Sequence, residues 1–353
     1  MNLALTEEQD AVRGLARQIF DGRLTADRLK EIAATEDAFD RALWEELARA
    51  NLLGIAVSEE FGGSGHGIIE LCLLLEEVGR AVAPVPAFEA LVLGALPLSQ
   101  FGTPEQKTRY LPGVVEGKII LTGALPEDES SVTARRDGAA WVLDGLAFGV
   151  PAVHLASAIV VVASNALFLV DVASVSTARN VVTSHELRFD VSFGGVSAEL
   201  LGEATAIAWL RERGLLGLCA MQTGVAEKAL RLTAEYTSSR EQFGRPLGSF
   251  QAVQQRVADC YIDVEAMRWT MWQAAWRVSE GFEATEEVLI AKFWASEAGQ
   301  RVLSAAMHLH GGIGVDVSYP LHRYTLWAKQ IELTLGGAAA QLEKLGDVMA
   351  TCD

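Results

Sequence analysis

Basic residues are scarce in this sequence. Its 353 residues include 29 Lys and Arg against 46 Asp and Glu, a formal net charge of −17 at pH 7. This charge opposes non-specific binding to nucleic-acid phosphates and to anionic membrane surfaces. We therefore expect neither nucleic acid nor a membrane as a partner.

Long apolar runs and targeting signals are also missing. The most apolar stretch, VPAVHLASAIVVVASNALFLVDV, is interrupted by polar residues such as His154, Asn165 and Asp171. That pattern is poor for a membrane span and ordinary for buried strands. The first residues, MNLALTEEQDAV, lack the basic region and the apolar segment of a secretory signal. The expected location is the cytoplasm.

Cysteines and common catalytic motifs give no starting point for a reaction. The four cysteines are scattered without a CxxC pair, which is typical of plain reduced thiols. They are Cys72, Cys219, Cys260 and Cys352. The sequence has no GxSxG, HExxH or GxxxxGK[ST] motif. Its six histidines leave a nucleophile and base pair open, but no local pattern points to one.

Hydrophobic patterning divides the chain into three parts and predicts an α+β fold. Residues 1–117 are predicted to be helical, with capping boxes at LTEEQ and TPEQ. Residues 118–204 hold short β-branched and aromatic runs, among them KIILTGAL, ASAIVVVAS, ALFLVDV and LRFDVSF, which predict an antiparallel β domain. Residues 205–353 are predicted to be helical again.

The last part has the pattern of a helical bundle. In FQAVQQRVADCYIDVEAMRWTMWQAA, small or apolar residues recur at alternating steps of four and three, which places them on one helix face. These residues are Val253, Val257, Cys260, Val264, Met267, Met271 and Ala274. A further helix is predicted to begin at Thr285. A four-helix bundle is the economical prediction for this part.

Two motifs could contact a phosphorylated ligand. Arg240 and Arg245 flank a Phe–Gly break in TSSREQFGRPLGSFQ, and guanidinium groups suit a pyrophosphate; solvated loop arginines are the alternative. In HLHGGIG the glycines either let a ligand approach the backbone or form a helix C-cap. A metal at His308 and His310 is disfavoured, because residues two apart on a helix point in different directions.

A third glycine-rich stretch, EEFGGSGHG, lies among the N-terminal helices. No apolar strand precedes it, as a dinucleotide-binding loop would require. The favoured interpretation is a flexible connector.

Taken together, these motifs resemble those of the acyl-CoA dehydrogenase family. The resemblance spans nearly the whole chain, from LTEEQ and FGGSG through RxxFGRPLGSFQ to HGGIGVDVSYPLHR. It implies an N-terminal all-α domain, a middle antiparallel β domain and a C-terminal four-helix bundle. It also implies FAD-dependent α,β-dehydrogenation of an acyl-CoA thioester, with electron-transfer flavoprotein as a further partner.

Family members hold FAD at a subunit interface, and the resemblance implies that this chain grips FAD bound mainly by a neighbouring chain. The implied contacts are Arg240, Phe243, Gln251, His308, Gly311, Gly312 and Gly314. The family usually has Gln at the position of His308. A histidine there still has a hydrogen-bond donor.

The segments that face the flavin ring depart from the family pattern. Where the family reads TEPxAGSD, this chain has ALPEDESS, which keeps Pro126 and Ser130 but has Ala124 for Thr and Glu129 for Gly. Where a Lys and a Trp–Ile–Thr/Ser segment are usual, the chain reads AFGVP. The loss of hydroxyl donors and the added carboxylate predict that this β domain does not hold a flavin ring.

The catalytic base is also missing from its usual place. The family removes the α proton with a Glu on a turn before the last helix, and that position falls on Leu335, which cannot accept a proton. Some members place the Glu near Gly214, and Glu212 lies two residues earlier. Two residues turn a helix by about 200°, which disfavours Glu212. Glu332 matches a position that is not the base.

The resemblance is strongest to the non-catalytic partner subunit of heteromeric α2β2 acyl-CoA dehydrogenases that act on steroid side chains. A homologous subunit would then supply the catalytic Glu and bind the acyl-CoA. Two alternatives stay open: a self-sufficient dehydrogenase that uses Glu212, and a flavin-free structural or binding homologue.

Overall fold

The computed structural model describes residues 4–127, 130–138, 140–184 and 186–351. Its α-helices are α1 (Glu7–Arg23), α2 (Ala26–Ala33), α3 (Arg41–Arg49), α4 (Ile68–Ala81), α5 (Leu96–Phe101), α6 (Pro104–Val115), α7 (Ala204–Ser239), α8 (Gln251–Ser279), α9 (Thr285–His310), α10 (Leu321–Leu333) and α11 (Ala338–Thr351). A π-helix spans Phe88–Ala95, and 3₁₀ turns span Glu59–Phe61, Val172–Ser174, Leu247–Ser249 and Gly311–Val315.

The strands are β1 (Leu121–Ala124), β2 (Thr133–Asp137), β3 (Ala140–Pro151), β4 (Ala158–Ala163), β5 (Ala166–Asp171), β6 (Ser176–Asn180), β7 (Arg188–Gly202), β8 (Glu241–Gln242) and β9 (Arg245–Pro246). The first seven form one sheet in the order β1–β4–β5–β7–β3–β2, and β6 pairs with β7. The sheet is mainly antiparallel, as predicted. One pair, β1 with β4, is parallel, which the sequence pattern did not reveal.

The sheet core comes from the apolar runs that predicted the strands. Leu143, Val161, Phe168, Val191 and Phe193 are all buried in one cluster. Two strands were missed: β2 reads TARRD and β6 reads STARN, and both are largely exposed. They lack the apolar alternation from which a strand is recognised, and they are held by pairing with β3 and β7.

The helix-start predictions are confirmed. At both Thr6 and Thr103 the Thr hydroxyl accepts from the backbone N–H three residues on, and a Gln side chain accepts from the Thr backbone N–H. These reciprocal bonds satisfy donors that a helix start otherwise leaves without partners. Helix α9 begins at Thr285, as predicted.

The C-terminal part is helical, as predicted, with five α-helices among the residues described between Ala204 and Thr351. The predicted apolar stripe of α8 lies inward. Its members from Cys260 to Ala274 are buried, whereas Val253 and Val257 are partly exposed. Burial of such a stripe is the main source of stability for a bundle helix.

Two compact units result. One comprises Met1–Asp10, Cys72–Ala83 and Leu215–Asp353, and the other comprises Ala11–Leu71 and Pro84–Gly214. The division into domains at residues 117 and 204 stays a prediction.

The stretch EEFGGSGHG is a connector, but it is not a loose one. The backbone N–H groups of Ser64, Gly65 and His66 donate to carbonyls of residues 54–57 at 2.8–3.0 Å. A Cβ atom at Gly63 would lie 2.1 Å from the carbonyl oxygen of Val57. Close backbone packing therefore explains this glycine without a ligand.

Candidate functional site

The Phe–Gly break predicted between two long helices is a tight hairpin. Strands β8 and β9 pair at Glu241–Pro246 and Gln242–Arg245, so Phe243 and Gly244 are the two central residues. Their φ angles are +54° and +76°, as a type I′ turn requires. A phenylalanine rarely adopts positive φ, and the Phe243 ring is 92% exposed. The hairpin thus holds an aromatic side chain out in solvent at a conformational cost.

The two arginines beside this turn differ in their contacts. The Arg245 guanidinium lies 4.0 Å from the centre of the Phe250 ring, a cation–π contact. The Arg240 guanidinium is exposed and has no partner among the described residues. The backbone of Arg240 is fixed, because its N–H donates to the Tyr236 carbonyl at 2.8 Å and its carbonyl accepts from Leu247 at 2.8 Å. Arg240 is therefore an available cation on a defined backbone.

Helix α8 starts next to this hairpin, and its first turn has hydrogen-bond donors that no side-chain cap occupies. Its N-cap residue, Phe250, has no side chain that caps the helix. The Gln251 side chain is exposed and has no partner in the part of the chain that the structure describes. A 29-residue helix carries a partial positive charge at this end. An anion would find amide donors here.

The GGIG loop follows α9 as a 3₁₀ turn. Gly311 has φ +64°, which favours glycine for conformational reasons. A Cβ at Gly312 would meet nothing within 4 Å, whereas a Cβ at Gly314 would lie 3.1 Å from the Met307 carbonyl oxygen. Internal packing therefore explains Gly314 and leaves Gly312 unexplained. A group from outside the chain could approach the backbone at Gly312 closely.

The two histidines of HLHGG lie in different surroundings. His308 is exposed, and its ring has no partner within the described ranges. His310 is buried: its Nδ1 lies 2.8 Å from the Ala306 carbonyl oxygen and its Nε2 lies 3.1 Å from the Tyr319 hydroxyl. Burial lowers the pKa of His310. The structure therefore does not bring the two rings together as metal ligands.

Two residues of the ALPEDESS segment, Pro126 and Ser130, form hydrogen bonds within the chain. The Ser130 hydroxyl donates to the Val162 carbonyl at 2.5 Å and accepts from the Val132 N–H at 3.1 Å. The carbonyl of Pro126 accepts from the Arg211 guanidinium at 3.0 Å. Ala124 is buried at the end of β1 and carries no hydroxyl. Glu129 lies outside the described residues.

The AFGVP segment forms a bulge in β3. The register between β3 and β7 shifts between Ala147 and Val150. Gly149 has φ +60°; its N–H donates to Asp190 at 2.9 Å, and its carbonyl accepts from Arg188 at 3.3 Å. Phe148 is 70% exposed at this point. A bulge redirects side chains, and this one presents the Phe148 ring to solvent.

The turn at residues 334–337 is closed by its own chain. Leu335 has φ +60° and is only 6% exposed. The Gln341 side chain donates to the carbonyls of Leu335 and Gly336 at 3.0 and 2.9 Å. The Thr334 hydroxyl donates to the Gln330 carbonyl at 2.7 Å. Leu335 has no group that can take up a proton. The carbonyls of Leu335 and Gly336 and the Thr334 hydroxyl have partners, whereas the buried Oε1 of Gln341 has none among the described residues.

A buried lysine fixes the other side of this turn. Lys292 on α9 is fully buried, and its Nζ donates to the carbonyls of Ile331 and Glu332 at 2.7 and 3.0 Å. These carbonyls belong to the last turn of α10, where a helix leaves acceptors without partners and favours positive charge. Lys292 thereby caps α10 where the chain enters the turn.

The other candidate carboxylates are paired. Glu212 on α7 forms an ion pair with Arg213 at 3.1 Å, and the Arg213 guanidinium lies 4.0 Å from the centre of the Trp209 ring. Glu332 pairs with Lys329 at 2.6 Å. Neither carboxylate is held free for proton abstraction.

Sequence reasoning missed Lys292, Gln341, Tyr236 and Tyr319. One signal was available: Lys292 lies in the apolar stripe of α9, four residues before Ser296, and a lysine in such a stripe needs buried acceptors. No pattern identified Tyr236, because its partners His310 and Tyr319 are distant in the sequence. Tyr319 lies only nine residues after His310, but no local pattern indicated that their side chains meet.

Two further findings concern metal ions and membranes. Across residues 4–127, 130–138, 140–184 and 186–351, no group of three or more His, Cys, Asp or Glu side chains is placed to hold a metal ion. Over the same ranges, no helix combines the length and the apolar character needed to cross a bilayer.

Comparison with known proteins identifies the family. Residues 6–118 match the acyl-CoA dehydrogenase N-terminal domain, and residues 207–350 match the acyl-CoA dehydrogenase C-terminal domain. Acyl-CoA dehydrogenase FadE27 of Mycobacterium tuberculosis is 39% identical over 369 aligned residues that cover 99% of each chain. The chain belongs to the acyl-CoA dehydrogenase family.

Solved structures of acyl-CoA dehydrogenases agree with this assignment. A variant of the Tcur3481–Tcur3483 steroid ACAD is 46% identical with a TM-score of 0.94, and the match covers 98% of each chain. The ChsE4–ChsE5 complex from Mycobacterium tuberculosis is 39% identical with a TM-score of 0.95, and the match covers 99% of each chain. The acyl-CoA dehydrogenase fold is therefore established for this chain. The family consists of FAD-dependent oxidoreductases that act on acyl-CoA.

Proposed function

We propose that this chain is the non-catalytic subunit of a heteromeric acyl-CoA dehydrogenase. It supplies contacts to an FAD whose flavin ring, catalytic Glu and acyl-CoA site belong to a homologous partner subunit. One observation carries the proposal: the Arg240 guanidinium is left available, whereas the turn at the usual position of the base holds a buried leucine, Leu335, and its carbonyls are bound by the chain's own Gln341. Electron-transfer flavoprotein is the proposed electron acceptor.

The available groups fit the pyrophosphate of FAD. The Arg240 guanidinium offers several N–H donors to paired phosphate oxygens. The exposed start of α8 adds backbone amide donors, and so does Gly312, where the absence of a Cβ leaves the backbone open to close approach. His308 and Gln251 contribute exposed side-chain donors. This donor set is cationic or neutral throughout, as an anionic ligand requires.

The described residues of the β domain do not offer a matching cradle for the ring. The Ser130 hydroxyl is directed to the Val162 carbonyl, and AFGVP contains no hydroxyl. FAD, when bound, accepts the hydride that leaves the β carbon of the thioester. The Leu335 turn of this chain has no base to remove the α proton, so that step is assigned to the partner.

Exposed apolar side chains support a protein partner. They lie on the elements that carry the proposed FAD contacts: the hairpin, α8 and the segment after α9. These side chains are Phe243, Tyr261, Ile262, Val315 and Val317. Large exposed apolar side chains on a chain of this net charge indicate a surface that another protein covers. A homologous acyl-CoA dehydrogenase subunit in an α2β2 assembly is the partner that we propose.

The proposed substrate is a steroid side-chain CoA thioester or another bulky acyl-CoA. The support is the similarity to a structure described as a steroid ACAD and to FadE27. In the proposed assembly that substrate binds in the partner subunit.

Co-expression with a homologous subunit that has Glu at the position of Leu335 tests the proposal. We expect one FAD per heterodimer, acyl-CoA-dependent dye reduction by the pair, and a colourless chain when it is purified alone. A yellow, active chain alone, inactivated by Glu212→Gln, would establish the self-sufficient alternative. A pair that contains no flavin would establish the flavin-free alternative.

A further inference from the structure

Three aromatic residues connect the two parts of the proposed FAD contact. Tyr236 lies on α7 one turn before Arg240, His310 ends α9 just before Gly311, and Tyr319 lies beyond the GGIG loop. The His310 ring stacks on Tyr236 with centroids 4.4 Å apart and planes at 19°. Tyr319 contacts Tyr236 edge-on at 6.4 Å. We call these three residues the aromatic clasp.

The hydrogen bonds of the clasp have a defined direction. A carbonyl oxygen can only accept, so the 2.8 Å contact with Ala306 places a proton on His310 Nδ1. In the neutral ring, Nε2 then accepts from the Tyr319 hydroxyl at 3.1 Å. Burial lowers the pKa of His310 and raises that of Tyr319, which keeps both groups neutral. The GGIG loop is thus held at both ends. His310, before the loop, bonds to Ala306 of α9, and Tyr319, after the loop, bonds to His310.

The clasp is also connected to the backbone of Arg240. The Tyr236 carbonyl accepts from the Arg240 N–H at 2.8 Å, so the backbone of Arg240 is fixed to the residue that stacks on His310. Stacked aromatic pairs of this kind contribute about 0.5–1.5 kcal/mol beyond their buried area. A shift of the His310 ring would therefore move the GGIG loop relative to the end of α7.

We propose that His310, held by Tyr319 and stacked on Tyr236, is a positioning residue that sets the Arg240 guanidinium and the Gly311–Gly314 backbone at the spacing needed by one FAD pyrophosphate. This inference rests on the proposed function. In it, His310 does not contact FAD; it acts through the two segments that do.

The test measures FAD affinity of the co-expressed heteromer by flavin fluorescence, together with thermal unfolding. Tyr319→Phe removes the hydroxyl that holds His310 Nε2 and is expected to raise the FAD Kd about fivefold. His310→Phe keeps a ring against Tyr236 but removes both hydrogen bonds, and is expected to raise the Kd about tenfold. His310→Gln, which can still accept near the position of Nε2, is expected to recover part of that loss.

Tyr324→Phe is the matched control. Its hydroxyl donates to the Arg80 carbonyl at 3.0 Å in a buried hydrogen bond, and it lies on α10 beyond the three residues of the clasp. Because that bond is more buried than the one from Tyr319, we expect Tyr324→Phe to lower the unfolding temperature at least as much as Tyr319→Phe and to leave the FAD Kd within about twofold. Equal effects of the two variants on Kd, or no effect of Tyr319→Phe, would overturn the inference.

A double-mutant cycle separates this inference from the function on which it rests. If the clasp positions Arg240, Tyr319→Phe and Arg240→Ala together raise the Kd by less than the product of their single effects. Independent effects would indicate a merely structural clasp. If Arg240→Ala itself leaves FAD binding unchanged, the proposed FAD contact is wrong whatever the clasp does.

Discussion

Phe243 and Leu335 are both non-glycine residues held at positive φ, +54° and +60°. Phe243 is almost fully exposed, and the guanidinium of nearby Arg240 has no partner among the described residues. Leu335 is buried, and its carbonyl is bound by Gln341. Similar backbone strain thus accompanies opposite surroundings, and a positive φ alone does not identify a binding residue. The contacts of the neighbouring polar groups do.

The difference has a physical basis. A polar group that already has a buried partner cannot serve a ligand without losing that partner, at a cost of about 1–3 kcal/mol. A solvated donor on a fixed backbone has no such cost. We therefore interpret the hairpin as a surface for another molecule and the Leu335 turn as part of this chain's own core.

The largest expected effect comes from placing a carboxylate in the closed turn. Leu335→Glu should destabilise the chain by about 4 kcal/mol at neutral pH, because it loses apolar burial and buries an ionisable group. Burial would raise the folded-state pKa of that Glu. The part of the penalty that comes from ionisation is therefore absent below the unfolded pKa and grows as the pH rises toward the folded value, whereas the loss of apolar burial remains at every pH. Denaturant unfolding between pH 4 and pH 8, with Leu335→Gln as the neutral control, measures it; a pH-independent loss would contradict the burial of this position.

Removing the lysine that caps α10 should be nearly as costly. Lys292→Met leaves the carbonyls of Ile331 and Glu332 without their donor and should lower the free energy of unfolding by about 3 kcal/mol. Lys329→Met removes an exposed lysine from the same region and should change it by less than about 0.5 kcal/mol. Equal losses in denaturant titrations would show that the Leu335 turn does not depend on the buried amino group.

At the hairpin, Arg240→Ala should weaken FAD binding to the heteromer by about 10- to 100-fold, because charged hydrogen bonds are lost. Arg245→Ala is the matched control, because that guanidinium packs on Phe250. It should leave the FAD Kd within about threefold. Fluorescence titration of the apo-heteromer distinguishes the two arginines, and a reversed order would mean that the wrong arginine was assigned.

The smallest expected effect separates two neighbouring glycines. A Cβ at Gly312 meets nothing, so Gly312→Ala should raise stability slightly, by about 0.5 kcal/mol, yet weaken FAD binding several-fold by blocking close approach. Gly314→Ala should instead lower stability, since its Cβ would press on Met307. Thermal unfolding and FAD titration of both variants measure this; unchanged FAD affinity for Gly312→Ala would remove that glycine from the proposed contact.

Much of the fold could be predicted because its signals are local. Capping boxes at Thr6 and Thr103 and the apolar runs of β4 and β5 each depend on residues close in sequence. Strands β2 and β6 could not be found in this way, because neither has an apolar pattern of its own. They are strands because they pair with β3 and β7. The parallel pairing of β1 with β4 depends on chain topology, which periodicity does not encode.

The proposed site divides in the same manner. Arg240 and Gly312 were singled out from motifs, and the structure adds why they are available. The closed state of the Leu335 turn could not be predicted, because it depends on Lys292, 43 positions away in the sequence, and on a side-chain bond from Gln341. The identity of Leu335 was readable from the sequence, but the partners that close the turn around it were not.

The hairpin also bears on the fate of the chain before it meets another protein. The exposed Phe243 side chain gives newly made copies an apolar surface in water that other molecules can contact. Surplus copies would be exposed to self-association and to cellular quality control. The abundance of this protein should accordingly follow the supply of whatever covers the hairpin, and not only its own rate of synthesis.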